Sequence, residues 1–598
     1  MQPKAQAHAA ASALALETAV APKPLRLAGD LVGQAGSGEA LTKLSAALAE
    51  LKAMAVEPML QRAVNAIQSE DWKTAGTWVS KALEKDKDSG FGWYLMGIVR
   101  ERIGDFAESI LAYEAALKLI PEQAEVANDL GRLASRMGMK VQAEKLFQHF
   151  LKKYPEHPEA TNNLACVIRD QFRYEEAIEV LRPAIVKQPE QPLLWNTMGT
   201  VVAEQGDFPN ADVFFQEALR LDPDFFRARF NLGNARLALG DYEGALAACE
   251  GALGQVRSDD ERQMMLLSRS LTLLNLGRVA EGWDGYEARL HPQFSDCTHF
   301  LFERPRWEPG CDIVGKSLMV VGEQGLGDEV LFANVLPDVI EKLGPEGRLT
   351  LVVEPRLVPL FQRSFPAARV VAHSTYIVAT KTIRYAPALL NELEGIDLWT
   401  PIASLLREFR ATVDSFPSRK SFLTADPERV AHWRKVLEDA PAGPKVGLLW
   451  KSAINRDARH RFFSPFDQWA PVLKIPGLSF VNLQYGDCSE EIAKAERDLG
   501  VKIWTPPGID LKQDLDDVAA LCCAMDLVVG FSNATLNLGA ACGAPTWLIS
   551  TPGAWPRLGT ARYPWYPQAR TFTAQRFADW GPVMEAVADG LGTYVRER

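Results

Sequence analysis

The sequence predicts a two-part protein, an α-helical solenoid followed by an α/β region with two lobes. A 34-residue period runs through the first half of the chain, and strand-like apolar runs alternate with helical segments after about residue 300. The length of 598 residues is also too great for one hydrophobic core. The composition, 47% hydrophobic and 24% charged, is ordinary for a globular protein.

The period is carried by the residues that bound helical hairpins. Prolines recur every 34 residues, and glycines fall in a matching register in which Ala165 fills one place: Pro121, Pro155, Pro189, Pro223; Gly97, Gly131, Gly199, Gly233. Small residues let paired helices approach closely and proline ends the second helix, so the period is that of the tetratricopeptide repeat (TPR). We predict a solenoid of about seven repeats over residues 56–296, the last of them offset by a few residues.

Asparagines recur in the first helix of these repeats. Asn128, Asn162 and Asn196 share one repeat position, and Asn163 and Asn231 share the next. Side-chain amides both donate and accept hydrogen bonds, so a row of them suits the backbone of an extended peptide. The alternative is that they cap or solvate the helices. We favour the first interpretation, because helix interiors disfavour asparagine, and predict that these residues bind a protein acceptor.

The N-terminal segment, the net charge and the cysteines exclude several classes of protein. Residues 1–55 predict a flexible Ala-rich tail with a short helix near residues 40–54. The tail lacks the pattern of a signal peptide, and no apolar run is long enough to cross a membrane, so we expect a cytoplasmic protein without membrane insertion. A net charge of -11 argues against a nucleic-acid partner. The eight cysteines follow no disulfide or metal-site spacing, and we expect no metal and no cofactor.

Alternating strands and helices fill the rest of the chain. Apolar runs at 317–321, 445–450, 526–530 and 544–550 predict buried strands, each followed by a turn or a helix start. We predict one Rossmann-like lobe at 297–420 and a second, nucleotide-sugar-binding lobe at 421–598 that ends in a returning helix. Ligands of such parallel sheets bind beyond the carboxyl ends of the strands, here in the cleft between lobes.

A glycine loop follows the first of these strands. We use this name for residues 322–329, with the sequence GEQGLGDE. Gly325 and Gly327 allow a close approach to a ligand, and the helix that follows attracts anions. Asp328, at the loop-to-helix junction, is a candidate base for an acceptor hydroxyl, although an aspartate that caps the helix is the alternative.

Three further strand ends in the second lobe carry candidate donor-binding residues. The segment 450–465 gathers Lys451, Asn455, Arg459 and Arg461, a charge pattern that suits a phosphate or a sugar carboxylate unless the loop is merely solvated. Gln484 ends another strand, where it could hold a base edge. The helix start at Ser532 and Asn533, with Asn537 one turn later, also suits a phosphate, or is an ordinary helix cap.

Together these motifs resemble a known group of enzymes. The strings GEQGLGDE, VGLLWKS, FVNLQ, DVAALCCAMDLVVG, NLGAACGAPTWLI and YPWYP are similar to those of bacterial TPR-linked glycosyltransferases related to the heptosyltransferases, which have a GT-B-like pair of lobes. The chain is most similar in pattern to bacterial flagellin glycosyltransferases. In these, a TPR half engages flagellin and a transferase half attaches pseudaminic acid, a nonulosonic acid, from its CMP-activated form.

The resemblance implies a metal-independent, inverting GT-B glycosyltransferase with flagellin as partner and CMP-pseudaminic acid as donor. It places the catalytic base at Asp328 and the phosphate-binding region at Lys451 to Arg461. Many relatives read VDTAVAHLAGALG where this chain reads FSNATLNLGAACG, so Ser532 and Asn533 replace Asp-Thr, and Asn537 replaces histidine. The change fits a different donor, and it also fits weakened activity. The alternatives are a UDP-sugar transferase acting on a protein or glycan, and an inactive TPR scaffold.

Overall fold

The computed structural model describes residues 38–378, 381–452 and 462–598. The chain divides between Val201 and Val202 into two compact units, which are taken in turn. The predicted fold class is confirmed, because helical hairpins precede an α/β region with parallel sheets. Residues 1–37 of the predicted N-terminal tail lie outside the described part of the chain.

The first unit holds helical hairpins with the predicted period. Their first helices begin at residues 90, 124, 158 and 192, and their second helices at 106, 140 and 174, each 34 residues after the last. Buried alanines line the helix contacts, which is why the small residues recur. Its helices are α1 Gly38–Gln68, α2 Trp72–Lys85, α3 Gly90–Arg102, α4 Phe106–Leu119, α5 Ala124–Arg136, α6 Lys140–Lys153, α7 Pro158–Arg169, α8 Tyr174–Lys187 and the greater part of α9 Pro192–Glu204.

The first helix differs from the sequence prediction. A short helix near residues 40–54 and a separate repeat helix from residue 56 are predicted, but the structure has one helix of 31 residues, Gly38–Gln68. The segment is rich in the strong helix formers Ala, Leu, Lys and Glu, and no glycine interrupts it after Gly38. The helix continues through Pro58, which removes only one backbone donor.

The second unit begins with the remaining hairpins. Helix α10 Phe208–Leu221 is followed by the pairs α11 Phe226–Leu239 with α12 Tyr242–Leu253, and α13 Asp259–Asn275 with α14 Val279–Tyr286. The last pair leaves the 34-residue register. A single 3-10 turn, Glu287–Leu290, then leads into the α/β region.

The α/β region contains two parallel sheets and one small mixed sheet. The first lobe has the strand order β4-β3-β2-β7, the second β12-β11-β10-β8-β9, and the mixed sheet β1-β6-β5. The strands are β1 Thr298–Phe300, β2 Ser317–Val321, β3 Arg348–Val353, β4 Arg369–Ala372, β5 Ser374–Val378, β6 Lys381–Tyr385, β7 Leu398–Pro401, β8 Lys445–Leu449, β9 Ser479–Asn482, β10 Leu527–Phe531, β11 Thr546–Ser550 and β12 Arg570–Thr573.

Helices cover these sheets, and their buried faces form the core. The returning C-terminal helix is present and packs its apolar face against the second sheet. The helices are α15 Leu326–Phe332, α16 Leu336–Leu343, α17 Val358–Ser364, α18 Leu406–Phe409, α19 Pro427–Val436, α20 Ala470–Leu473, α21 Ser489–Leu499, α22 Leu515–Ala524, α23 Ala534–Ala541 and α24 Trp580–Arg596.

Buried tryptophans join the last hairpin to the α/β region. Trp283 of α14 lies edge-on to Trp555 and Trp565, with ring centroids 5.8 Å and 6.3 Å away, and its indole N–H donates to the Arg410 carbonyl. Trp283 and Trp565 are fully buried. These aromatic residues therefore form a packed junction. Among the described helices, none combines the length and the apolar character that crossing a membrane demands.

Candidate active site between the two α/β lobes

Neighbouring strands of the second lobe end side by side and deliver two of the predicted segments. Strand β8 pairs in parallel with β10, with Leu449 opposite Gly530. A Cβ added to Gly530 would lie 2.5 Å from the Leu449 carbonyl oxygen, so only glycine permits this approach. The segments that begin at Trp450 and Ser532 therefore leave the same edge of the sheet, where parallel sheets bind ligands.

The glycine loop of the first lobe packs against this edge. A Cβ added to Gly327 would lie 3.5 Å from the Ala534 Cα and 3.3 Å from the Asn537 Nδ2, so the start of α15 contacts the start of α23. Asn537 donates from Nδ2 to the Gly327 carbonyl at 3.3 Å. The structure thus brings Gly325, Gly327 and Asp328 together with residues 532–537.

Two buried tyrosines line this contact. Tyr566 donates to the Asn537 Oδ1 at 3.1 Å, and the Tyr563 hydroxyl lies 3.5 Å from the Ser532 Oγ. Their rings stack with centroids 5.7 Å apart. Burial, and to a smaller extent the negative charge of Asp328, raise the pKa of both phenols. The Asp328 carboxylate therefore lies within electrostatic reach of the Ser532 helix start.

Asp328 caps its own helix and is only partly buried. Its Oδ2 accepts a hydrogen bond from the Gly325 N–H at 3.1 Å, as the capping alternative predicts. A capping carboxylate at a helix N-terminus is held in place by the loop that it closes. The cap and a role as base are therefore compatible, and the role of Asp328 as base stays a prediction.

Two buried glutamates, which the sequence analysis missed, anchor the glycine loop. Glu323 is 1% exposed and pairs with Arg289, and its Oε1 also accepts from the Ala403 N–H. Glu329 is 2% exposed, and its Oε1 lies 3.0 Å from the His373 Nε2 and 3.4 Å from the Arg384 Nη1. Their nearly complete burial places both carboxylates beneath the loop, away from solvent, which favours a structural role.

The Arg384 guanidinium ties this second anchor to the loop backbone. It donates from Nη1 to the Gly322 carbonyl at 2.6 Å and from Nε to the Thr375 Oγ1 at 3.1 Å. Burial lowers the pKa of Arg384 from its ordinary value, although the nearby charges of Glu329 and Glu323 favour its charged form. The positions of the strands in the sequence do not reveal Glu323 or Glu329 as anchors, because the residues that pair with them lie tens of residues away along the chain.

The predicted donor-binding residues of the second lobe are differently placed. The Lys451 ammonium contacts the Glu491 carboxylate and donates to the Asp487 carbonyl at 2.9 Å. Gln484 is 1% exposed, and its Oε1 accepts from the backbone N–H groups of Trp450 and Lys451. Gln484 therefore holds the end of β8 in place. Asn455, Arg459 and Arg461 lie outside the described residues.

The predicted phosphate-binding residues of the α23 start have separate environments. Ser532 is exposed at the strand end. The Asn533 Oδ1 caps α23 by accepting from the Leu536 N–H at 2.9 Å, whereas the Asn533 Nδ2 is buried without a hydrogen-bond partner among the described residues. Across residues 38–378, 381–452 and 462–598, no three His, Cys, Asp or Glu side chains cluster as metal ligands would.

The solenoid asparagines all lie on first helices of hairpins, as predicted, but in different surroundings. Asn162 accepts from the Thr197 Oγ1 of the next repeat at 2.5 Å and donates to Asn163 at 3.1 Å, so it joins two repeats. The Asn128 Oδ1 is buried without a partner among the described residues. Asn196 is 8% exposed. Asn231 belongs to the second unit and is half-buried.

Comparisons with known proteins agree with the repeat architecture. Tetratricopeptide repeat family models match residues 128–192 and 196–261, and residues 92–123. A solved MamA protein is 22% identical, with 28% of this chain and 92% of that chain covered and a TM-score of 0.25. A TPR protein from Parabacteroides merdae is 14% identical, with coverages of 39% and 91% and a TM-score of 0.36. At these TM-scores neither likeness carries an argument, and the repeat assignment rests on the family models.

A relative covers almost the whole chain, including the α/β lobes. Protein FlbA of Caulobacter vibrioides is 48% identical over 562 residues, which is 94% of this chain and 94% of that protein. Shared helical repeats alone do not account for this match, because the matched region extends well beyond the solenoid. The chain is therefore a member of the FlbA family, with TPR hairpins followed by parallel α/β sheets.

Proposed function

We propose that this chain is a protein O-glycosyltransferase that binds flagellin through its TPR solenoid. It transfers a nonulosonic acid, pseudaminic acid from the CMP-sugar, to Ser or Thr hydroxyls. The observation that carries the proposal is the packing of Gly327 against Ala534 and Asn537, which sets Asp328 beside the α23 helix start. A candidate base and a candidate phosphate site then face one reaction centre.

Asp328 and the α23 helix start take complementary parts in the proposed reaction. The Asp328 carboxylate accepts the proton of the acceptor hydroxyl while the hydroxyl oxygen attacks the anomeric carbon. The bond from the anomeric carbon to the phosphate oxygen breaks, and CMP leaves with the electron pair. Ser532, Asn533 and the backbone N–H groups at the start of α23 stabilise the leaving phosphate. Attack opposite the leaving group inverts the anomeric centre.

The remaining donor contacts come from the segment after β8. Lys451 exchanges its contact with Glu491 for the donor phosphate, while Gln484 keeps the backbone of Lys451 in place. Asn455, Arg459 and Arg461 supply further donors to the phosphate or to the sugar carboxylate. Asn537 stands where many relatives have histidine, a change that fits a donor other than their nucleoside-diphosphate sugars. It also bonds the glycine loop directly.

Replacement of the candidate base provides the main test. Asp328→Asn keeps the size of the side chain and removes the proton acceptor, so we expect transfer to fall by about 10²–10⁴-fold with flagellin affinity unchanged. The measurement is the intact mass of flagellin incubated with protein and CMP-pseudaminic acid. Asp414→Asn, which changes an exposed aspartate of the same lobe, is the matched control and should transfer normally.

The outcomes separate the alternatives. Normal transfer by the Asp328→Asn protein would remove this residue from the role of base. Transfer from UDP-sugars and not from the CMP-sugar would favour the UDP-sugar alternative. A wild-type protein that binds flagellin but neither binds a nucleotide in calorimetry nor changes the flagellin mass would indicate a TPR scaffold.

A further inference from the structure

Arg289 lies where the solenoid ends and reaches into the glycine loop. It belongs to the 3-10 turn Glu287–Leu290 that follows the last TPR helix. Its guanidinium donates from Nε to the Glu323 Oε2 at 2.8 Å and from Nη2 to the Glu323 Oε1 at 2.7 Å. Both oxygens of the loop carboxylate are therefore held in a planar fork, a geometry that lysine cannot reproduce.

The pair is buried and its charge is balanced locally. Arg289 is 2% exposed and Glu323 is 1% exposed. Arg289 also donates to Glu287, which in turn pairs with Arg306 and lies 4.0 Å from Arg407, so each glutamate of this cluster faces at least one arginine. Burial alone would lower the pKa of Arg289, but the charge of Glu323 and the hydrogen bonds to it raise the pKa above its ordinary value. Loss of one partner would leave an uncompensated buried charge.

The loop beyond Glu323 has little freedom of its own. Gln324 adopts a left-handed backbone conformation with φ of 59°, which a residue with a side chain keeps only when its surroundings impose it. Gly325 then donates its N–H to the Asp328 carboxylate at 3.1 Å. These three constrained residues, 323 to 325, are consecutive in the chain. A shift of the Glu323 carboxylate therefore moves the backbone that holds Asp328.

We propose that Arg289 is a positioning residue that holds Asp328 in place through Glu323, so that the end of the solenoid completes the catalytic centre. The inference rests on the proposed glycosyl transfer. A repeat array that only tethered the acceptor would have no reason to place a buried arginine under the loop of the candidate base. The last turn of the TPR solenoid is therefore part of the transferase and not only of the acceptor-binding arm.

The test removes the pair without leaving a buried charge. In the full chain, Arg289→Met combined with Glu323→Gln replaces both ions with neutral side chains of similar size. We expect this protein to fold, whereas Arg289→Met alone leaves the Glu323 charge buried and unpaired. Arg407→Met is the matched control. Arg407 joins the same last repeat to the same lobe through Asp284 and Glu308 and lies 4.0 Å from Glu287, but among the described residues it makes no ion pair with Glu323.

Two measurements decide the outcome. We expect kcat for flagellin modification to fall by more than about tenfold in the double variant, with flagellin affinity and Tm close to wild type. We also expect faster hydrogen exchange of the backbone amides in residues 322–329, while Arg407→Met changes neither quantity. Wild-type kcat, or wild-type exchange in the loop of the folded double variant, would overturn the inference. A wild-type protein without transferase activity would count against the proposed function, and loop exchange would still test the positioning contact.

Discussion

Asn537 is a residue through which the second lobe contacts the glycine loop. Its two polar atoms have separate partners, with Nδ2 donating to the Gly327 carbonyl and Oδ1 accepting from the Tyr566 hydroxyl. The side chain is 4% exposed, so each lost bond leaves a buried polar atom unpaired. Substitutions can therefore separate the contact to the loop from the contact to the tyrosine.

Asn537→Asp removes the hydrogen bond to the Gly327 carbonyl, and Tyr566→Phe removes the hydrogen bond from the tyrosine hydroxyl to Asn537. Aspartate still accepts from Tyr566 but cannot donate to Gly327, and it adds a negative charge near Asp328. Tyr566→Phe keeps the ring that stacks on Phe422 and removes only the hydroxyl. We expect each variant to lower the free energy of unfolding by about 1–3 kcal/mol. Only Asn537→Asp should also lower kcat, by about tenfold or more.

Chemical denaturation and the rate of flagellin modification measure the two effects. A Tyr566→Phe protein as inactive as the Asn537→Asp protein would show that these hydrogen bonds affect kcat only through the stability of the fold. An Asn537→Asp protein with wild-type kcat would show that the interlobe bond to Gly327 does not affect the reaction.

At this scale the sequence locates a motif when the motif is local. Gly327, Asp328 and Asn537 follow strand ends, and parallel strands bring such ends to one edge. The anchors Glu323 and Glu329 lie in the same loop, yet the sequence gives no sign of their buried partners. Arg289 is 34 residues from Glu323, and Arg384 is 55 residues from Glu329. Such pairs form only in the tertiary fold, so they produce no periodic pattern in the sequence.

Hairpin turns are the elements that the repeat period predicts best, and the turns at Glu70 and Phe172 depart from the rule. Gly104, Gly138, Gly206 and Gly240 all adopt positive φ between paired helices. Phe172 occupies the corresponding place in the intervening repeat, with φ of 62°, and its side chain is 46% exposed. A residue with a Cβ is strained in this conformation, so this turn, like the turn at Glu70 with φ of 59°, stores strain that the glycine turns avoid.

Exchanging the two residue types should change stability in opposite directions. Phe172→Gly relieves the strain at the loss of an exposed edge contact with Tyr174, and we expect a gain of about 1 kcal/mol in local stability. Gly138→Ala introduces a Cβ at φ of 75° where no heavy atom lies within 4 Å, so its expected loss of about 1 kcal/mol is backbone strain alone.

Native-state hydrogen exchange in the helices beside each turn measures both changes. Destabilisation by Phe172→Gly would show that the aromatic contact outweighs the strain. An unchanged Gly138→Ala protein would show that the turn relaxes without cost.

Buried strands are also predictable from the sequence, whereas exposed strands of the same length are not. Apolar runs identified β2, β8, β10 and β11, because strands buried on both faces are nearly continuous in hydrophobic residues. The mixed sheet of β1, β5 and β6 was missed. Strand β5 has four exposed residues out of five, so it shows no buried alternation from which a strand could be inferred.

At the scale of the whole molecule, the proposed function separates acceptor binding from chemistry. Under this proposal the solenoid gives affinity for flagellin, whereas the lobes lower the barrier to transfer. Binding energy expressed equally in the ground state and the transition state changes KM and not kcat. Substitutions in the first unit should therefore affect KM, and those around Asp328 should affect kcat.

Asn128 and Asn162 allow this separation to be tested within one unit. Asn128→Ala removes a buried oxygen that has no partner in the described structure, so stability should be unchanged while flagellin affinity falls. Asn162→Ala breaks the bond from Thr197 to the neighbouring repeat, and we expect it to lower the free energy of unfolding by about 0.5–1.5 kcal/mol. Calorimetric titration with flagellin, together with Tm and kcat, distinguishes the two. A raised KM with wild-type kcat and Tm in Asn128→Ala would assign the asparagine row to acceptor binding, and wild-type flagellin affinity would exclude Asn128 from it.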